Sequence, residues 1–194
     1  MTSFLNKLKQ ATEFEPKFYT KFEKDIPIYQ FDLSKELDHF EVVKNILDIQ
    51  KQFPESRVSS INAWHTDYST LSKTKILDSL ISIIEEKVKK IDYSRTSWKL
   101  EVYEYWAIIY KKEDYTEMHD HAGSVLSFVY YAQTFEDSAP LVFKDKLMIR
   151  PKNGMLIIFP SFLEHSVPIS GSDKDRIVVA GNLYIEKDRM WENV

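Results

Sequence analysis

The chain has 194 residues, 43% of them hydrophobic and 14% aromatic, with a formal net charge of −4; that is one domain's length with ample material for a core. It contains no cysteine, which excludes disulfides, thiolate metal sites and cysteine nucleophiles and leaves histidine and carboxylate as the strong metal ligands. Acidic and basic residues are interleaved without a basic stripe, and no apolar run reaches membrane-span length, so nucleic acid and membrane are not the expected partners. Met1–Lys9 lacks a basic start followed by an apolar stretch, and a cytoplasmic location is expected.

In chain order, Ile26–Leu33 reads as a short strand, which Pro27 confines to a sheet edge because it cannot donate to a ladder. Residues 36–53 read as a helix with Phe40, Val43 and Leu47 on one face. Residues 75–91 form the clearest periodic element, with Leu77, Leu80, Ile81, Ile84, Val88 and Ile91 on one stripe. Ser72 or Thr74 is placed to cap it.

From Trp98 the period changes to two. Trp98, Leu100, Val102, Trp106, Ile108 and Tyr110 alternate along a strand, with Glu104 the exception. Further strands are expected at 125–133, 141–143, 146–150, 155–159 and 176–186, separated by turn-forming segments. The fold class predicted is mostly β with flanking helices around a jelly-roll, double-stranded β-helix core. The expected organisation is one domain over 1–194, with mixed support in 1–97 and the core, carrying the site, in 98–186.

The chemistry concentrates at Glu117–Ser124. In a strand, residues two apart share a face, so His119 and His121 can meet one ion while Asp120 points away. His165 follows a later strand and turn and is the third expected ligand. Such a set matches a facial triad held on strands of a small barrel, with the opposite face open. On the last strand Arg176, Val178, Ala180 and Asn182 share a face. An arginine and an asparagine there are costly unless something binds them, and a guanidinium is suited to gripping a carboxylate. His65-Thr66-Asp67 is a second His-x-Asp pair, but no basic residue follows at the spacing that separates His165 from Arg176. His65 is read as a hydrogen-bonded structural histidine.

Over Trp106–Glu186 the sequence resembles the 2-oxoglutarate/iron(II) oxygenases of bacteria and phages, of the prolyl-hydroxylase-like superfamily. The matching pieces are His119–Ser124, Leu126–Tyr131, Pro151–Ser161, Glu164-His165 and Arg176–Asn182, with weaker likeness at Ile26–Tyr29 and Ala63–His65. The resemblance implies iron(II) on His119, His121 and His165, with 2-oxoglutarate as co-substrate. It places Arg176 on the distal carboxylate and Tyr131 beside the co-substrate; Asn182 completes the expected cofactor contacts. It also implies hydroxylation of a small molecule or peptide. Ala122 and Phe128 depart from the family's expected proline and glycine. His121 stands where most members carry a carboxylate, which leaves the site one unit more positive. Two alternatives therefore stay open: a cupin-like three-histidine iron dioxygenase that uses no 2-oxoglutarate, and a non-catalytic jelly-roll binding protein. A homodimer is also left open.

Overall fold

The computed structural model describes residues 26–55, 61–66, 75–91, 99–144 and 146–186. The proposed caps Ser72 and Thr74, Trp98, and Asp67 of the second histidine pair lie outside them. Among the described residues, eleven strands and two helices follow one another as β1 (Tyr29–Asp32), α1 (His39–Gln52), β2 (Ile61–Asn62), β3 (Trp64–His65), α2 (Lys75–Lys90), β4 (Leu100–Tyr110), β5 (Tyr115–His119), β6 (Leu126–Gln133), β7 (Leu141–Phe143), β8 (Met148–Ile149), β9 (Met155–Pro160), β10 (His165–Val167) and β11 (Arg176–Ile185). A six-stranded sheet has the order β1-β9-β6-β11-β4-β3, and a five-stranded sheet the order β2-β5-β10-β7-β8. Every pairing is antiparallel. From β4 to β11 the chain crosses between the sheets at each step except β7 to β8, which pair within the smaller sheet, a jelly-roll arrangement. Among the described residues no helix is long and apolar enough to cross a membrane.

Both helices pack on the larger sheet, α1 against β6 and α2 against β4. That explains why β6 is buried along all but its last residue: one face meets a helix and the other faces the smaller sheet. Asp38 caps α1, its carboxylate accepting from the backbone N–H of Phe40 at 2.9 Å and of Glu41 at 3.4 Å. The buried face of α1 is Val42, Val43, Ile46 and Ile49, while Phe40 is 74% exposed. The expected stripe through Phe40 is thus out of phase, because the cap at Asp38 puts Phe40 in the first turn, pointing off the sheet. On α2 the stripe holds, with Leu77, Leu80, Ile84 and Val88 buried.

Ile26–Leu33 contributes the edge strand β1, paired with β9 alone. The long strand β4 carries an irregularity that breaks the alternation expected from 98 to 110. Its ladder with β11 steps from Asn182↔Glu104 to Leu183↔Val102, a bulge at Tyr103. Glu104 lies on the Trp106 side of the bulge and shares the face of Trp106, Ile108 and Tyr110, while Val102 and Leu100 fall out of step with them.

Candidate metal and carboxylate site

Between the sheets lies a cavity of about 290 Å³, lined by His65, Trp106, Tyr110, His119, His121, His165 and Arg176 among others. His119 ends β5 and His165 opens β10, and the ladder pairs the two residues directly. His121 lies beyond β5, in a turn closed by the bond from Ser124 N–H to the His121 carbonyl at 3.2 Å. Gly123 takes φ +108° in that turn, a conformation that favours glycine. The strand therefore ends sooner than the i, i+2 reading assumed, yet the turn still returns His121 to the same cavity.

The possible ligand nitrogens of His119, His121 and His165 lie within 4.8 Å of one another. Their ring centroids are 4.4 Å apart for His119–His165, 4.9 Å for His119–His121 and 5.3 Å for His121–His165. Two of the rings have a fixed tautomer. Nδ1 of His119 lies 2.8 Å from the Glu117 carbonyl, and Nδ1 of His165 lies 2.8 Å from that of Leu163. A carbonyl only accepts, so each Nδ1 carries a proton and it is Nε2 of the ring that is turned free for a metal. Burial first, then the neighbouring His119, holds His121 down to about 4 and His165 down to about 3. These imidazoles are neutral at neutral pH. A convergent set of neutral imidazole nitrogens suits a divalent transition metal.

Asp120 does not turn fully away. Because the chain has left the strand, strand alternation no longer applies. Its exposed carboxylate accepts from the Ala122 N–H at 3.0 Å and lies on the cavity rim. His65, 3% exposed, donates Nδ1–H to the Thr66 carbonyl and stacks on Trp106 at 5.7 Å. It lines the cavity but stands outside the convergent group of three.

Arg176 is 1% exposed at the cavity's inner end, and its Nε and Nη1 have no hydrogen-bond partner. Its guanidinium lies 4.7 Å from the Tyr110 ring centre and 5.3 Å from that of Tyr131. Burial raises the pKa of both phenols, an effect partly offset by the Arg176 charge. A buried cation with open donors costs free energy until an anion satisfies it, and a carboxylate fits that fork. Tyr131 packs against the guanidinium without lining the cavity, and its hydroxyl makes no hydrogen bond. Asn182 does not line the cavity either. Its Oδ1 accepts from Ser127 at 2.8 Å and its Nδ2 donates to Glu104 at 2.7 Å.

Tyr110 and Thr116, bonded hydroxyl to hydroxyl at 2.7 Å, also line the inner end and were not expected there. Tyr110 had been read only as an apolar strand position, and nothing in sequence marks Thr116. Glu104, the break in an apolar alternation, was a visible signal.

Residues 139–182 match the family model described as "Putative 2OG-Fe(II) oxygenase". No curated protein matches the sequence. Among solved structures, the chain is similar to the viral collagen prolyl hydroxylase of Paramecium Bursaria Chlorella virus-1, at TM-score 0.60 and 16% identity over 80% of this chain and 94% of that one. It is similar to a Pseudomonas putida prolyl-4-hydroxylase at TM-score 0.62 and 14% identity, over 82% and 92% of the two chains. A Trichoplax adhaerens prolyl hydroxylase matches at TM-score 0.61 and 14% identity, over 81% and 82%. The family pattern is thus matched over residues 139–182, and the fold is like that of these prolyl hydroxylase structures.

Proposed function

We propose that this chain is a non-haem iron oxygenase whose metal is held by His119, His121 and His165 and whose organic acid ligand is anchored by Arg176. The observation that carries the reading is the convergence of three imidazoles on one cavity, in a group that no carboxylate of the described residues joins. That donor set favours the three-histidine dioxygenase type, in which the substrate itself meets the metal and 2-oxoglutarate takes no part. When bound, ferrous iron would supply the redox chemistry by which dioxygen is spent on an organic substrate. The protein's own work is to orient the imidazoles, exclude bulk water between the sheets and hold the acid from the far end.

Arg176 favours a second reading, in which the acid is 2-oxoglutarate. The buried guanidinium with two open donors, walled by Tyr110 and Tyr131, is suited to a distal carboxylate.

Anaerobic titration with ferrous iron, followed by 2-oxoglutarate, tests both. Stoichiometric iron binding that is lost in His165→Ala supports the metal centre, and undiminished iron in that variant overturns it. A visible charge-transfer band on adding 2-oxoglutarate, lost in Arg176→Met while iron stays bound, establishes the second reading. Absence of the band at saturating 2-oxoglutarate leaves the first.

A further inference from the structure

His119 and His165 are aimed by their own backbones, each ring donating to a carbonyl two residues earlier. The ring of His121 has no such bond. It lies against Trp106, with centroids 5.6 Å apart, and it stands on a turn rather than a strand. Something else must fix it, and the hydrogen bonds around its backbone show what does.

The His121 N–H donates to the Ser161 carbonyl at 2.9 Å, and the His121 carbonyl faces both the N–H of Ser124 at 3.2 Å and its hydroxyl at 3.0 Å. Ser161 belongs to the turn that leads from β9 to His165. The Ser124 and Ser161 hydroxyls are 2.6 Å apart, and Ser161 and Ser127 are 3.0 Å apart. Ser127 then reaches Asn182 Oδ1 at 2.8 Å, and Asn182 Nδ2 reaches Glu104 Oε1 at 2.7 Å. The Tyr184 hydroxyl donates to that same oxygen at 3.1 Å. Ser161, Ser127 and Asn182 are at most 2% exposed.

Proton counting gives this chain a direction. A carboxylate only accepts, so Asn182 must turn its amide nitrogen to Glu104 and its oxygen to Ser127. Ser127 spends its single proton on Asn182 and can only accept from Ser161. Ser161 in turn accepts from Ser124, and the His121 carbonyl is left with the Ser124 N–H. Every donor points toward Glu104, the arrangement in which successive bonds polarise one another.

We propose that Glu104, Asn182, Ser127, Ser161 and Ser124 are positioning residues for the metal site, a directed relay that locks the His121 turn to the His165 turn and ends on a carboxylate. The proposal rests on the metal reading above. Glu104 fixes the sense of the relay, because its carboxylate oxygen accepts from both Asn182 Nδ2 and the Tyr184 hydroxyl.

The test is an anaerobic cobalt(II) titration, read by visible absorption, on wild type, Ser161→Ala, Ser161→Thr and Glu104→Gln, with the melting of each metal-free protein measured beside it. Ser161→Ala keeps the carbonyl that the His121 N–H meets but removes both hydroxyl contacts of the relay, and is expected to weaken cobalt binding about tenfold, the low end for outer partners of a metal site. Its ligand-field bands should shift, and Ser161→Thr should restore both. Glu104→Gln keeps the shape but removes the charge, and is expected to weaken binding about tenfold. A packing role alone would lower metal-free melting and leave the bands in place. Wild-type affinity and bands in both Ser161→Ala and Glu104→Gln would overturn the relay; if Ser161→Ala does not fold, Glu104→Gln decides alone. A wild-type protein that binds no cobalt removes the metal reading, and the relay with it. Normal wild-type binding with unmoved variants removes the relay only.

Discussion

His65 shows how one side chain's surroundings set a measurable property. Burial holds it neutral, down to about 4 from an ordinary value of 6.5. The unfolded chain therefore takes up a proton here before the folded one does. Stability contributed at neutral pH is lost as pH falls below about 6.5 and continues to fall toward 4, amounting to at most about 3 kcal/mol. His65→Asn, which cannot titrate, should make that limb shallower, with the buried His121 and His165 still contributing to it. Denaturant melts of metal-free protein between pH 7 and pH 4.5 check it, and an equal loss in both proteins would show that His65 is not the titrating group. Among single residues, sequence spoke clearly where chemistry repeats at a fixed interval: His119, His121 and His165 meet as a pair two apart with a distant third. It was silent where a partner is set by tertiary placement. Nothing adjacent to Asn182 reveals that Ser127 and Glu104 take up both ends of its amide.

At the scale of elements, the β4–β11 ladder is the tightest contact near the relay. A Cβ on Gly181 would lie 2.5 Å from the Glu104 carbonyl oxygen and 2.7 Å from the Phe128 ring. The ring could shift, but the backbone oxygen is held by the sheet. Gly181→Ala is expected to cost about 1–3 kcal/mol, as overpacking typically does. Gly171→Ala, where a Cβ would meet nothing within 4 Å, is the matched control. Equal denaturation midpoints for the two variants would contradict this packing. Strands were legible because alternation is a local signal, and the bulge at Tyr103 was not, because only pairing with β11 defines it. The same limit applied to α1, where apolar spacing suggested Phe40 but the Asp38 cap decided the phase.

For the whole molecule, ligands between the sheets should act on global stability, because the cavity draws its walls from both. A metal or acid bound only by the folded state stabilises by about 2.7 kcal/mol at a hundredfold excess over its Kd. For a chain of this size that is roughly 5–10 °C in Tm, at about 2–4 °C per kcal/mol. The rise with ferrous iron should disappear in His119→Ala. The additional rise with a carboxylate ligand should disappear in Arg176→Met while the iron effect persists. Loss of both effects in Arg176→Met would mean that the guanidinium serves the fold rather than the ligand.

The place of β11 has a temporal meaning as well. This late strand sits in the middle of the larger sheet, flanked by β6 and β4. During synthesis β4 and β6 leave the ribosome early and must wait, each lacking the neighbour that the sheet assigns it, until Arg176–Ile185 has been made. Folding as a chain grows normally proceeds from its N-terminal end; here the sheet cannot close in that order. A nascent chain stalled before Arg176 would expose two long, largely apolar strand edges, the kind of surface that chaperones hold and that aggregates recruit.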